Sequence, residues 1–154
     1  MLRHELQHAL VGIKLSRTDP KIAFGPGGGW CSQEMGQDDY ALRAAVMAAG
    51  CIPSDGLKLH DSANVFDDSS WLLRNCTWRA GAEGIPVSQA MDEAMATARR
   101  IVIGEKDLLD AAADQLYREP EGGWCQQSEV VLEAEQVMAA LGQPASVKEG
   151  SIPA

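Results

Sequence analysis

At 154 residues the chain has the length of one domain with a modest core. Hydrophobic residues make up 45% and charged residues 23%, which excludes a disordered chain. The formal net charge of -9 excludes general affinity for phosphate backbones, because the basic residues are scattered and Arg99-Arg100 is their only adjacent pair.

Aromatic residues are sparse at 5%, while Ala and Gly are plentiful, so helices packed through small side chains are expected rather than a β-sandwich. No apolar run approaches the roughly 18 residues that span a bilayer. Arg3, His4 and Glu5 leave no signal-type apolar core at the N-terminus, and a soluble, cytoplasmic domain without a membrane segment is expected.

The first helix spans Leu2 to Leu15, with Leu6, Leu10 and Ile13 on one face. Thr18-Asp19-Pro20 stops it. Lys21 to Phe24 and Trp30-Cys31 read as two short strands around Gly25-Pro26-Gly27-Gly28-Gly29, a hairpin with one open edge. Asp38 or Asp39 caps a second helix, Tyr40 to Ala49, which Gly50 ends. Asp61 or Ser62 caps a third, running through Asp67-Asp68 towards Trp78, and Gly81 to Pro86 is a break. Ser88 caps a fourth, with Met91, Met95, Ala98 and Val102 in register. A fifth carries Leu108, Leu109, Ala112 and Leu116, and a last one, capped by Ser128, aligns Val130, Ala134, Val137 and Leu141. The domain is expected over 1–141, with 142–154 a flexible tail.

Cys31, Cys51, Cys76 and Cys125 form no C-x-x-C pair, so neither a four-cysteine zinc site nor a disulfide framework is expected. They read as free, mostly buried thiols.

The chemistry lies in His4-Glu5-Leu6-Gln7-His8. Histidines four apart on a helix leave the same face one turn apart, and their nitrogens can share one zinc at about 2.0–2.1 Å. A Glu directly after the first His sits beside the metal-bound water, where it can take that water's proton and pass it to the leaving amine. Glu5 is therefore the candidate general acid/base, and His4 and His8 are candidate metal ligands. A catalytic zinc needs a third protein ligand, and His60, Asp61, Asp67 and Asp68 are the candidates.

With these residues in place, the chain resembles the peptidase domain of the FtsH-type AAA zinc metalloproteases over residues 4 to about 124. His4 to Gly12 resembles that family's H-E-A-G-H-A-hydrophobic-V-G helix, with Gln7 in place of the usual glycine. Asp19 to Pro26 sits where the family has a D-P, an edge strand and a P-R-G turn. Leu42 to Gly50 resembles the helix ending in G-G-R-x-A-E, and Met91 to Gly123 the late helices. The resemblance implies a mainly α metallopeptidase with a small β-hairpin near the N-terminus. It also implies an Asp as third ligand: Asn64-Val65-Phe66-Asp67-Asp68 stands for the family's G-A-S-N-D, which points to Asp68 first and Asp67 second.

The expectation is thus a zinc endopeptidase acting on an extended polypeptide laid against Ile22–Phe24. Trp30 and the Gly-rich loop would line the cleft, with Trp30 as a core anchor the alternative. No G-x-x-x-x-G-K-[ST] is present, so an ATPase would have to act as a separate subunit. A homo-oligomer stays open. The rival readings are a binding module that keeps this fold without protease activity, and an acidic helical interaction domain in which the motif is accidental.

Overall fold

Ten of the fifteen residues of α1 (Leu2–Ser16) are buried, so this helix runs through the interior instead of lying on the surface with one face down. The computed structural model describes residues 2–25, 28–53, 62–117 and 129–142, with the side chains of 62–66 excepted. Within them the protein is mainly helical, 69% helix in six helices, with a small three-stranded antiparallel sheet. No described helix is long and apolar enough to cross a membrane.

Strand β1 (Lys21–Gly25) follows α1 after the Pro20 stop, and β2 (Gly28–Ser32) returns antiparallel to it, pairing Lys21 with Ser32 and Gly25 with Gly28. The return needs glycine at 28, where φ is 130°. Strand β3 (Val130–Leu132) occupies the other side of β1, giving the order β2-β1-β3. This corrects the expectation of an open edge at Ile22–Phe24: β1 is the central strand, and its near-total burial reflects neighbours on both sides. It also corrects the last helix. Val130 is paired with Phe24 in the sheet, and α6 (Ala134–Ala140) begins only after Glu133, whose N–H donates to Gln136 Oε1 at 3.0 Å.

The Ala-rich α2 (Tyr40–Gly50) starts where Asp39 Oδ1 accepts the Leu42 N–H at 3.2 Å, as its capping signal predicts. Its small buried residues Ala44, Ala45, Ala48 and Ala49 let α1, α3 (Ser62–Glu83) and α4 (Val87–Gly104) pack closely around it. Helix α3 runs through Gly81 and ends only at Gly84, which takes φ 68° and donates to the Ala80 carbonyl at 2.9 Å. Helix α4 begins after Pro86, not Ser88, and buries Ala90, Ala94, Ala98 and Val102. Met91 and Met95, one position on, pack at the margin of that stripe. Helix α5 (Lys106–Leu116) buries Leu109 and Ala112 and completes the layer beside α1 and α6.

Of the described cysteines only Cys76 is fully buried; Cys31 and Cys51 are half-buried, and all three are free. His60, Asp61, Cys125, Ser128 and the tail from 143 lie outside the described residues.

Candidate metal centre

His4 and His8 leave one face of α1, as four-residue spacing dictates, with ring centroids 4.9 Å apart. Asp68, in the second turn of α3, meets them: its Oδ2 lies 2.9 Å from His4 Nε2 and 3.2 Å from His8 Nε2. The two Nε2 atoms are 3.3 Å apart. Among the described residues this is the group of histidine, cysteine and carboxylate side chains that can share one ion. Asp67 stays outside it, exposed on the cleft wall.

The donor set fits a cation. His8 Nδ1 lies 2.7 Å from the Val46 carbonyl, which only accepts, so Nδ1 carries the proton and Nε2 of the neutral ring presents a lone pair to the centre. Asp68 Oδ2 is buried and has no hydrogen bond of normal geometry. Acceptors facing one another across about 3 Å repel unless a positive charge stands between them. A tetrahedral zinc with ligands at 2.0–2.1 Å separates them by roughly 3.3–3.4 Å, close to the spacing found here.

Without an ion the same groups pair by charge instead. Burial alone would raise the Asp68 carboxyl, yet His4 and His8 beside it outweigh that and hold it down to about 2. Burial disfavours charge on His8, but Asp68 and then Glu5 win and leave its pKa above the ordinary imidazole value. Glu5, 2% exposed, is raised by burial against the pull of His8 and His4, which suits a group that must hold and release a proton.

Several residues other than His4, Glu5, His8 and Asp68 position these groups. Gly50, at the end of α2, allows the close approach: a Cβ there would stand 2.0 Å from Asp68 Oδ2 and 2.7 Å from His8 Nε2. Gln7 is buried and donates to the carbonyls of Ala49 at 2.6 Å and Ile52 at 3.0 Å while its Oε1 accepts from Arg3 at 2.8 Å. It thereby ties the motif helix to the end of α2. Gln33 Nε2 donates to the His8 carbonyl at 3.0 Å, and Gly12 leaves room for that side chain.

His4, His8, Asp68 and Glu5 open into a cleft of about 410 Å³. Gly29, Trp30 and Cys31 of β2 form one wall, Arg43 and Met47 of α2 another, and Trp71 and Asn75 of α3 a third. Trp30 and Trp71 are 49% and 48% exposed, so Trp30 is a cleft residue and not a core anchor. Burial pushes the Cys31 thiol up, which keeps it protonated and inert. Helical spacing was the available signal for these walls: 68, 71 and 75 share one face of α3, and 43, 47 and 50 share one face of α2. Compared with protein-family models, curated proteins and solved structures, the chain matches none.

Proposed function

We propose that this protein is a zinc-dependent endopeptidase of the FtsH-peptidase type. The observation that carries the reading is the convergence of His4, His8 and Asp68 on one point, with Glu5 buried beside it, at the floor of an open cleft. Two histidines and a carboxylate with an open side are the ligand set of a hydrolytic zinc. When bound, zinc polarises the scissile carbonyl and acidifies the attacking water. Glu5 takes the water's proton and returns it to the leaving amine, and its raised pKa matches that double duty. Val46 and Gln33 hold the His8 ring and backbone, so the ligand geometry is set before substrate arrives.

An extended polypeptide fits along β2, whose outer edge has no strand partner among the described residues and whose residues 29–31 face the cleft. Trp30 and Trp71 would then flank the bound chain. The β2 edge takes over the role that the sequence suggested for Ile22–Phe24.

The test is metal content together with hydrolysis of an unfolded protein such as casein. About one zinc per chain and chelator-sensitive cleavage support the proposal. One zinc without turnover favours a binding module that retains the fold, and no zinc returns the chain to an acidic helical interaction domain.

A further inference from the structure

Among the described residues Arg43 is a cation without a carboxylate partner, in a chain of net charge -9. Among the described residues Arg3, Lys14, Lys21, Arg79 and Lys106 each pair with a carboxylate. Arg17, Arg99 and Arg100 are exposed to water, and Arg74 is exposed with its guanidinium over the Trp71 ring. Among the described cations Arg43 alone is half-buried, without a described carboxylate partner, and part of the wall of the cleft that holds His4, His8 and Asp68.

Its head is also fixed. Nε donates to the Gly36 carbonyl at 2.9 Å and Nη2 to the Met35 carbonyl at 3.2 Å. Two of the five guanidinium N–H groups are thus used, on the Nε side of the fork. The remaining donors include the Nη1/Nη2 pair, which matches the two oxygens of a carboxylate. Neutral carbonyls orient the group without cancelling its charge.

We propose that Arg43 binds a carboxylate of the peptide, and that substrates with such a group displaced from the scissile bond are preferred. The inference rests on the peptidase reading for its notion of substrate. Its position follows from the helix: Arg43 stands seven residues before Gly50, about 10 Å along the α2 axis, and Gly50 abuts the Asp68 and His8 ligand atoms. An extended chain rises about 3.3 Å per residue, so the carboxylate belongs roughly three residues from the reacting carbonyl. An acidic side chain or the chain's own C-terminus supplies the same chemistry.

The experiment compares matched peptides: one with Glu against Gln at each position within four residues of the cleaved bond, and one with a free against an amidated C-terminus. Binding is read by calorimetry on zinc-loaded Glu5→Gln protein, and kcat/KM on protein with Glu5 intact. Both are repeated with Arg43→Gln, which keeps a donor but no charge, and with Arg43→Lys. The expected result is a preference of about tenfold or more for one carboxylate peptide over its neutral partner. Arg43→Gln should abolish that preference, weakening the carboxylate peptide about tenfold more than its neutral partner, and Arg43→Lys should restore part of it. A Glu preference identifies a side-chain carboxylate, and a free-end preference the C-terminus. No preference for either, a preference that survives Arg43→Gln, or equal loss for both partners overturns the inference. Arg43-dependent binding without any cleavage would sink the peptidase reading and leave this one standing. Cleavage without preference would do the reverse.

Discussion

Replacing Gly50 with alanine adds one methyl group to the point where α2 meets the ligands. The new Cβ would stand 2.0 Å from Asp68 Oδ2, 2.6 Å from His8 Cε1 and 2.7 Å from His8 Nε2. Ordinary non-bonded contact is roughly 3.5 Å, so the carboxylate must retreat by about 1–1.5 Å. His8 cannot yield as easily, because its ring is held by the Val46 carbonyl. Metal–ligand distances tolerate about 0.2 Å, so Asp68 is lost as a ligand. Disturbing even an outer partner of a ligand costs about 10–100-fold in metal affinity, and the expected loss is at least that. The fold itself suffers less: crowding costs about 1–3 kcal/mol, offset by about 1 kcal/mol from exchanging glycine for alanine in a helix. Chelator competition measures the affinity, and thermal unfolding with and without zinc separates the two effects. At 100 times its Kd, zinc stabilises the wild type by about 2.7 kcal/mol. A site weakened 100-fold gains only about 0.4 kcal/mol at the same zinc concentration by the same relation. A folded Gly50→Ala protein with wild-type zinc affinity would refute the geometry.

Asp68→Ala should abolish stoichiometric zinc while Asp67→Ala retains it, since only Asp68 reaches both histidines; elemental analysis of the purified proteins decides. Glu5→Gln should keep zinc and lower casein hydrolysis by about 10²–10⁴-fold, the usual worth of a general base; a mutant that still cuts removes Glu5 from the mechanism. The metal-free protein should lose stability as pH rises above the ordinary imidazole value of 6.5, where titration of the raised groups is linked to folding. His8 has a raised pKa, so its contribution is complete below the ordinary 6.5 and fades as pH climbs through the folded value. Glu5, raised from 4.5, has the same sign. Asp68 has the opposite sign, losing its contribution between 3.8 and about 2. Zinc takes the place of the His8 proton, so the loaded protein should hold its stability above pH 6.5; parallel denaturant midpoints for both forms across that range would contradict this.

The shared face of His4 and His8 was legible because helical spacing is local: positions 4 and 8 lie one turn apart whatever the rest of the chain does. The cap at Asp39 and the stop at Pro20 were legible for the same reason. Strand β3 was not, since Val130-Val131-Leu132 is too short to show a period and becomes a strand only by pairing with β1 some hundred residues away. The one-residue offset on α4 has a packing origin: the small Ala90 and Ala94 allow close approach to α2, while the larger apolar Met91 and Met95 beside them carry the stronger hydrophobic signal in the sequence. Nothing local separates Asp67 from Asp68: only the rotation of α3 against α1 brings one of the two adjacent carboxylates to His4 and His8.

Gln7 shows how the centre is built from more than its ligands. The two variable positions of H-E-x-x-H are free to carry structure, and Gln7 is 1% exposed with both ends of its amide engaged. The carbonyls of Ala49 and Ile52 stand at the end of α2, where a helix runs out of internal donors. By donating to both, Gln7 satisfies that helix end and fixes it against α1. The same turn holds Gly50 against Asp68, and one turn earlier Val46 accepts from His8. Arg3 then links the Gln7 amide to Asp110 of α5, so the motif helix is braced from the side away from the cleft as well. A glycine at position 7 would take the Gln7 donor from both carbonyls, leaving Ala49 only the Ile52 N–H at 3.3 Å. Side-chain hydrogen bonds thus join α1 to the end of α2, and α3 brings Asp68 against His4 and His8 from the other side.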